Sequence, residues 1–207
     1  MIALIDYKAG NLTSVKKALA AIGADVFVPG APADLAAASG VIVPGVGQFG
    51  ATRALDRPWI DAILARVGEG RPLFGICLGM QWLYEGSEEA PELPGLGLLS
   101  GRCYRLTSNP QSAIRNRQSI KVPHVGWNSL SIQRGNGLLD DVPAGAQVYF
   151  THSYVAPVTA DTSATTDHGE TFAAVVQRGH IGGVQFHPEK SGDAGLRILR
   201  NFVELAG

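Results

Sequence analysis

Short apolar runs alternate with amphipathic stretches along the first half of the chain. Between residues 12 and 22 the apolar positions recur at helical spacing and stop at Gly23, a residue type that commonly ends a helix. A second helix is predicted after the loop at residues 44–50 and extends to Leu64. The runs that predict strands are residues 2–5, 24–28, 41–43 and 72–76. Strands alternating with helices predict an α/β fold, a doubly wound and mostly parallel sheet flanked by helices.

The second half of the chain has a different pattern. Residues 91–145 are rich in Gly, Pro, Ser and Asn, and short alternating runs such as residues 118–122 predict an antiparallel β excursion of hairpins or extended loops. The polar segment 161–169 predicts a mobile loop. Later strands are predicted at residues 147–150, 171–176 and 181–186, before a closing helix at 192–205. Because no repeat or linker interrupts this order, we expect a single domain over residues 1–207.

Composition and charge argue against several kinds of partner. With 45% apolar and 17% charged residues and a formal net charge of −1, the chain offers no electrostatic basis for binding nucleic acid or an anionic membrane. It contains no apolar stretch of about 20 residues that could cross a bilayer. The N-terminal residues, with Asp6 and no preceding basic side chain, do not fit a signal peptide. Cys77 and Cys103 are too few for a disulfide framework, so a reducing cytoplasm is the expected location.

The first motif that indicates chemistry is Gly75-Ile-Cys77-Leu-Gly79, between a predicted strand and a helical pattern. Glycines two residues to either side allow a sharp reversal of the chain, as in the nucleophile elbow of hydrolases. The side chain of Cys77 then projects above the sheet at the start of a helix, a position that favours a thiolate. The alternative is that Cys77 is a small buried hydrophobic residue.

The second motif is the pair His187 and Glu189, which follows a predicted strand and has Pro188 between its members. On an extended chain, residues two apart face the same side. A carboxylate beside an imidazole holds its tautomer and stabilises its protonated form, leaving the other ring nitrogen for a thiol. Alone, the pair could equally be a strand-end histidine with a solvated glutamate. Together with an elbow cysteine it predicts a catalytic triad of Cys77, His187 and Glu189.

The third motif is the loop Gly45-Val-Gly47-Gln-Phe-Gly50, which has the spacing of a dinucleotide-binding fingerprint. Such a site needs an acidic residue at the end of the next strand, where this chain has Cys77. Dinucleotide binding therefore stays the lesser alternative. We interpret the loop as a source of backbone donors, so that the amides of Val46 and Leu78 would form an oxyanion hole.

Taken together, these residues resemble the class I, triad-type glutamine amidotransferases. More narrowly, the chain resembles the glutaminase subunits of imidazole glycerol phosphate synthase. The segments that carry the narrower resemblance are Ile5-Asp-Tyr7, Gly10-Asn-Leu12, Pro44-Gly-Val-Gly47, Pro123-His-Val-Gly-Trp-Asn128, Tyr149-Phe-Thr-His-Ser-Tyr154 and His187-Pro-Glu-Lys-Ser191. They extend over essentially the whole chain. The sequence departs from the family at Lys8-Ala9, where a glycine usually follows the Asp-Tyr pair, which affects the expected loop conformation and not the chemistry.

The resemblance implies that the chain hydrolyses L-glutamine to glutamate and passes ammonia to a partner cyclase subunit, a β/α barrel, in a heterodimer. The cyclase would convert PRFAR to imidazole glycerol phosphate and AICAR in histidine biosynthesis, and no cofactor or metal is expected. The resemblance also implies glutamine-binding residues, namely Gly45, Gly47, Gln81, Glu89, His152, Ser153 and Tyr154. The implied partner-facing residues are Trp127, Tyr149 and Lys190.

Each of these implied roles has a simpler alternative. Gln81 could be an ordinary polar helix residue, Glu89 a solvated charge and His152 a satisfied strand-end histidine. The aromatic residues of the partner surface could belong to the core. Alternative functions are a glutaminase subunit of another pathway, a free-standing cysteine hydrolase, and a partner-dependent, non-catalytic binding subunit. A peptide flip between Gly45 and Gly47, which glycine makes sterically cheap, could also be required before Val46 donates, leaving the free subunit nearly inactive.

Overall fold

The structure, a computed structural model, describes residues 1–107, 120–135 and 137–207. The predicted alternation of strands and helices in the first half is confirmed. In chain order its elements are β1 (Ile2–Leu4), α1 (Leu12–Ala21), β2 (Val26–Phe27), β3 (Gly40–Val43), α2 (Arg57–Gly68), β4 (Leu73–Ile76) and α3 (Leu78–Trp82). Helix α2 begins later than predicted, since a 3₁₀ turn occupies Phe49–Ala54. The helix is capped at its N-terminus by Asp56, whose side chain accepts a hydrogen bond from the amide of Trp59.

The second half consists of short strands and one long helix. In chain order these are β5 (Gly86–Ser87), β6 (Arg102–Arg105), β7 (His124–Ser129), β8 (Ser131–Ile132), β9 (Gln147–His152), β10 (Tyr154–Val155), β11 (Thr162–Asp167), β12 (Thr171–Arg178), β13 (Ile181–Val184) and α4 (Gly192–Leu205). The three predicted later strands and the closing helix are confirmed. The predicted alternating run at 118–122 begins outside the described residues, and its last three residues precede β7 without forming a strand.

The prediction of a mobile loop at residues 161–169 is wrong. Residues Thr162–Asp167 form β11, which pairs antiparallel with both β12 and β8. Its first five residues are buried, with Ser163 and Ala164 fully so, and Asp167 is exposed. Threonine is β-branched and favours strands, and its hydroxyl can form hydrogen bonds inside the fold, as that of Thr166 does to the carbonyl of Ser129. The polar composition of this segment therefore wrongly predicted a loop, because β8 and β12 pair with it on both sides and bury it.

The described residues form a central sheet of eight strands in the order β2-β1-β3-β4-β13-β12-β11-β8. The first five strands in this order, from β2 through β1, β3 and β4 to β13, are mutually parallel. The last three, β12, β11 and β8, each run antiparallel to the strand before them. A three-stranded sheet of β10, β6 and β5 and a two-stranded ribbon of β7 and β9 complete the excursion. The predicted α/β fold is thereby confirmed.

Helices cover both faces of the sheet. The core on one face includes Leu19 of α1 and Leu199 of α4, and the core on the other includes Ile63 of α2 and Trp82 of α3. In the described part of the chain no helix has the length and apolar character needed to span a membrane.

The sheet register positions the candidate site. Strands β4 and β13 are adjacent and parallel, with Ile76 paired to Val184. Their carboxyl ends therefore emerge side by side, one leading into Cys77 and the other into residues 185–187. In open α/β sheets this edge is where ligands usually bind.

Candidate active site

Cys77 occupies a strained turn between β4 and α3. Its φ of 51° lies in the left-handed region that non-glycine residues rarely adopt. The turn brings backbone segments so close that a Cβ on Gly79 would lie 1.8 Å from the carbonyl oxygen of Val43, and one on Gly75 would lie 2.5 Å from the amide of Met80. Both flanking glycines are thus sterically required. The turn is further held by the Cys77 amide, which donates to the carbonyl of Val184 at 2.8 Å.

His187 and Glu189 form a buried pair immediately after β13. The Nδ1 atom of His187 lies 2.9 Å from Oε1 of Glu189, and both side chains are almost wholly buried. The backbone of His187 is fixed at both ends, since its amide donates to the carbonyl of Tyr149 and its carbonyl accepts from the hydroxyl of Ser191. Because Nδ1 is paired with Glu189, the Nε2 atom of the ring is the nitrogen available to other groups.

The imidazole of His187 favours its protonated form. Burial lowers its pKa, but the nearby Cys77 sulfur and the hydrogen-bonded Glu189 carboxylate outweigh burial and raise the pKa to about 9. The Nε2 atom makes no hydrogen bond of regular geometry with any described residue, yet the Cys77 thiol is close enough to raise the pKa of the ring. The three predicted triad residues are therefore neighbours, with the imidazole between the thiol and the carboxylate.

A cleft of about 230 Å³ opens beside Cys77. Its lining contains most of the residues predicted to bind glutamine or stabilise an oxyanion, together with two that were not predicted, Pro123 and Thr151. The predicted lining residues are Gly47, Leu78, Gln81, Glu89, His152, Ser153 and Tyr154. Glu89 also accepts a hydrogen bond from the amide of Phe49 at 2.7 Å, so it anchors the loop that forms one wall.

In that loop, the amide of Val46 is not free to donate to a substrate, because it already donates to another residue. The Val46 amide donates to the carbonyl of Ala9 at 3.4 Å, a long hydrogen bond. Gly45 is sterically required, since a Cβ there would lie 2.5 Å from the hydroxyl of Tyr7, while Gly47 has a φ of 104° that favours glycine. For Val46 to serve as an oxyanion donor, its peptide would have to turn from Ala9.

His152 and His124 form a second histidine site at the edge of the cleft. Burial, together with a smaller effect of the neighbouring His124, lowers the pKa of His152 to about 3. The pKa of His124 is lowered to about 4 by burial and by His168, which stacks on it at 4.0 Å. Both rings are therefore neutral at neutral pH. Among the described histidines, cysteines and carboxylates, no cluster has the arrangement of a metal site.

Gln185 is a site residue that the sequence analysis did not single out. It is fully buried, and its Nε2 atom lies 3.6 Å from the sulfur of Cys77. The available signal was a glutamine inside an otherwise apolar strand run, because a buried side-chain amide must find partners.

The predicted partner-facing residues share the outer face of the ribbon formed by β7 and β9. Trp127 is 57% exposed and packs edge-on against Tyr149, with ring centroids 6.1 Å apart. The ammonium group of Lys190 lies 5.6 Å from the centroid of the Tyr149 ring. The exposed Val125 belongs to the same face. We call this face, formed by Val125, Trp127, Tyr149 and Lys190, the aromatic patch. It adjoins the triad, because the carbonyl of Tyr149 accepts a hydrogen bond from the amide of His187.

Comparison with known proteins agrees with this geometry. The family model for glutamine amidotransferase class-I matches residues 3–205. The chain is 50% identical to imidazole glycerol phosphate synthase subunit HisH of Gloeobacter violaceus, over 99% of this chain and 89% of the relative. It is 46% identical to the subunit of the same name from Halobacterium salinarum, over 98% of this chain and 92% of the relative.

Solved structures show a similar fold. A crystal structure of a glutamine amidotransferase superposes with a TM-score of 0.75 at 23% identity and covers 100% of both chains. PurLQS from Thermotoga maritima superposes with a TM-score of 0.73 at 17% identity, over 98% of this chain and 97% of that chain. At these identities the likeness concerns the fold alone.

Proposed function

The chain belongs to the glutamine amidotransferase class-I family, and on that premise we propose that it is the glutaminase subunit of an imidazole glycerol phosphate synthase. It hydrolyses L-glutamine to glutamate and ammonia. The observation that carries this proposal is the convergence of Cys77, His187 and Glu189 at the carboxyl ends of β4 and β13, beside a cleft sized for a small molecule. The high identity to relatives named as this subunit, over nearly the whole chain, supports the pathway.

The geometry supports a two-stage reaction at Cys77. The thiolate attacks the side-chain carboxamide carbon of glutamine, forming a carbon–sulfur bond and a tetrahedral oxyanion. His187, which holds a proton at neutral pH because its pKa is about 9, gives that proton to the departing nitrogen, and the carbon–nitrogen bond breaks to release ammonia and a thioester. Neutral His187 then takes a proton from water, whose oxygen displaces the sulfur to release glutamate. Glu189 accepts the hydrogen bond from the Nδ1–H group of His187 throughout, so the proton on Nδ1 stays in place.

Backbone donors complete the proposed site. The amides of Leu78 and Val46 hold the oxyanion, with Val46 becoming available once its peptide turns from the Ala9 carbonyl. That requirement supports a free subunit of low activity that a partner switches on. Gly45 and Gly47 allow the loop to approach the substrate. The side chains and backbone groups that hold the glutamine are those of Gln81, Glu89, His152, Ser153 and Tyr154.

The proposed partner is a cyclase subunit with a β/α barrel, joined to this chain in a heterodimer. The aromatic patch is the proposed docking surface, since tryptophan and tyrosine are enriched at protein interfaces, Trp127 is exposed and the half-buried Tyr149 packs against it, and this patch adjoins the triad. Ammonia released at Cys77 would pass to the cyclase, which makes imidazole glycerol phosphate and AICAR from PRFAR. A thiol nucleophile needs a reducing compartment, which favours the cytoplasm.

The test is glutamate release from L-glutamine, measured with and without the cyclase subunit and its nucleotide ligand. Wild type is compared with Cys77→Ala and with Cys103→Ser, a matched change at a buried thiol outside the triad. We expect turnover that the partner stimulates, that Cys77→Ala abolishes and that Cys103→Ser retains. Turnover lost in Cys77→Ala but indifferent to the partner would reject the pathway and keep the glutaminase. No turnover with a verified active cyclase would leave only a binding role.

A further inference from the structure

Gln185 contacts the reacting sulfur without belonging to the triad. Its side chain is completely buried on the strand end that leads to His187. The Nε2 atom lies 3.6 Å from the Cys77 sulfur, within the range of an N–H to sulfur hydrogen bond. An amide donor in this position favours the negatively charged thiolate over the thiol, because hydrogen bonds to charged groups are stronger than those to neutral ones.

The orientation of this amide follows from its neighbours. The Nε2 atom of Gln81 lies 2.9 Å from the carbonyl oxygen of Tyr154, which can only accept, so the amino group of Gln81 must face it. The same amino group lies 3.0 Å from Oε1 of Gln185, which therefore accepts. With its oxygen turned to Gln81, Gln185 must present its own amino group to the sulfur of Cys77.

His152 and His124 form a second set of hydrogen bonds that reaches the same carbonyl. Nδ1 of His152 lies 3.1 Å from the carbonyl oxygen of Tyr154, so this nitrogen carries the proton. Nε2 of His152 then accepts from Nδ1 of His124 at 3.2 Å. The carbonyl of Tyr154 thus accepts from both Gln81 and His152. Because a carbonyl has no hydrogen to donate, the Gln81 side chain can face it only through its amino group.

We infer that Gln185 is a positioning residue of this site, donating a hydrogen bond from its side-chain amide to the Cys77 sulfur, and that Gln81 holds that amide in its donating orientation. The inference rests on the proposed glutaminase function for its catalytic meaning, but the contact itself can be tested without substrate. Gln185 stabilises the thiolate before glutamine binds and keeps the sulfur between the imidazole of His187 and the cleft.

The first experiment measures the rate at which iodoacetamide alkylates Cys77, followed by mass spectrometry of the Cys77 peptide so that Cys103 does not contribute. Gln185→Glu preserves the side-chain length but presents an acceptor to the sulfur, and Gln185→Leu removes the donor. At pH 7 we expect both variants to be alkylated about tenfold more slowly than wild type. Gln177→Glu makes the same change at the opposite end of the sheet and should leave the rate unchanged.

The dependence of the alkylation rate on pH distinguishes loss of the hydrogen-bond donor to the sulfur from restricted access of iodoacetamide to Cys77. Among the described residues, His187 and Tyr7 interact electrostatically with Cys77, and Glu89 and His152 line the same cleft; all four are retained in Gln185→Leu. The pH profile of wild type is compared with that of Gln185→Leu, because Gln185→Glu adds a carboxyl group beside the sulfur. Wild-type and variant rates should converge at high pH, where the thiol is ionised in all of them. A rate reduced by the same factor at every pH would instead show restricted access and overturn the inference.

Glutamate release by the complex with the cyclase distinguishes the inference from the proposed function. We expect Gln185→Leu to lower kcat about tenfold while KM for glutamine changes less than about twofold. Wild-type turnover with unchanged alkylation in both Gln185 variants would overturn the inference and leave the function standing. Slower alkylation in the variants without any wild-type turnover would support the contact and reject the function.

A variant at a second position tests the inference even if the Gln185 variants do not fold. Gln81→Met removes the donor that orients the Gln185 amide while leaving Gln185 itself intact. Folding is verified by circular dichroism and thermal unfolding. We expect alkylation of Cys77 at pH 7 to slow by about threefold, less than on loss of the donor itself. An unchanged rate in folded Gln81→Met would contradict the orienting role of Gln81.

Discussion

Two buried histidines lie beside the same cleft and differ in charge. His187, at the end of β13, has a pKa of about 9, because the nearby Cys77 sulfur and the hydrogen-bonded Glu189 carboxylate outweigh the lowering effect of burial. His152, at the end of β9, has a pKa of about 3, because burial lowers it and the neighbouring His124 adds to the effect. Both side chains have almost no contact with solvent.

The comparison shows that burial does not decide the charge of a histidine by itself. Burial opposes the imidazolium in both places, and only the partners differ. His187 donates to a carboxylate, which stabilises a positive ring, whereas His152 has a carbonyl on one nitrogen and a neutral ring on the other. One ring is therefore suited to proton transfer, and the other to holding a wall of the cleft in a single arrangement.

The largest effect is expected from removing the carboxylate that distinguishes the two sites. In Glu189→Gln the lowering effect of burial is no longer opposed by that charge, so the pKa of His187 should fall, as followed by NMR of the imidazole. Glutamate release should drop by about 10³–10⁴-fold, since the tautomer and the charge of the ring are both disturbed. Glu204→Gln, an exposed change on α4, is the control. A variant with near wild-type turnover would contradict the role of Glu189.

A smaller effect concerns stability against pH, with opposite signs at the two sites. The raised pKa of His187 adds stability that is fully present below about pH 6.5 and disappears as the pH rises through about 9. The lowered pKa values of His124 and His152 have the opposite effect: stability falls as the pH decreases below about 6.5, because the unfolded chain then binds protons that these two residues do not bind in the folded chain. From pH 6.5 to 4.5 they should together lower the free energy of unfolding by about 4–5 kcal/mol.

Urea unfolding of wild type and His124→Gln at these two pH values measures that contribution. Glutamine can still donate to His152 but does not titrate, so the acid-induced loss should shrink by roughly half. His180→Gln, at the far end of the sheet, removes a histidine outside the cluster and should leave the loss unchanged. An equal loss in all three proteins would show that other groups cause the acid sensitivity.

The smallest effect concerns the ring that stacks on His124. In His168→Gln the ring that lowers the pKa of His124 is removed, so the pKa of His124 should rise while that of His187 stays the same. NMR titration of the histidine ring signals measures both values in one experiment. No rise for His124 would mean that burial alone sets its pKa.

Much of the fold was predictable because its signals are local. Helix α1 ends where Gly23 allows a positive φ, and β4 runs directly into Cys77, so periodicity and glycine placement located these elements. The strand at Thr162–Asp167 was missed for the opposite reason. Its threonines and serine look like a loop until β8 and β12 supply backbone partners on both sides and bury them.

The sequence by itself determined which residues are available for chemistry: an elbow cysteine, and a histidine and a glutamate two positions apart at a strand end. These choices depend on neighbours along the chain. Only the tertiary structure decided that Gln185 lies against Cys77, 108 positions away, that His124 meets His152, and that the Val46 amide is bound to Ala9. Such contacts depend on sheet register and on which side chains fill a shared interior. The charge of each histidine depends on the same packing, because it is set by the group that burial places beside the ring.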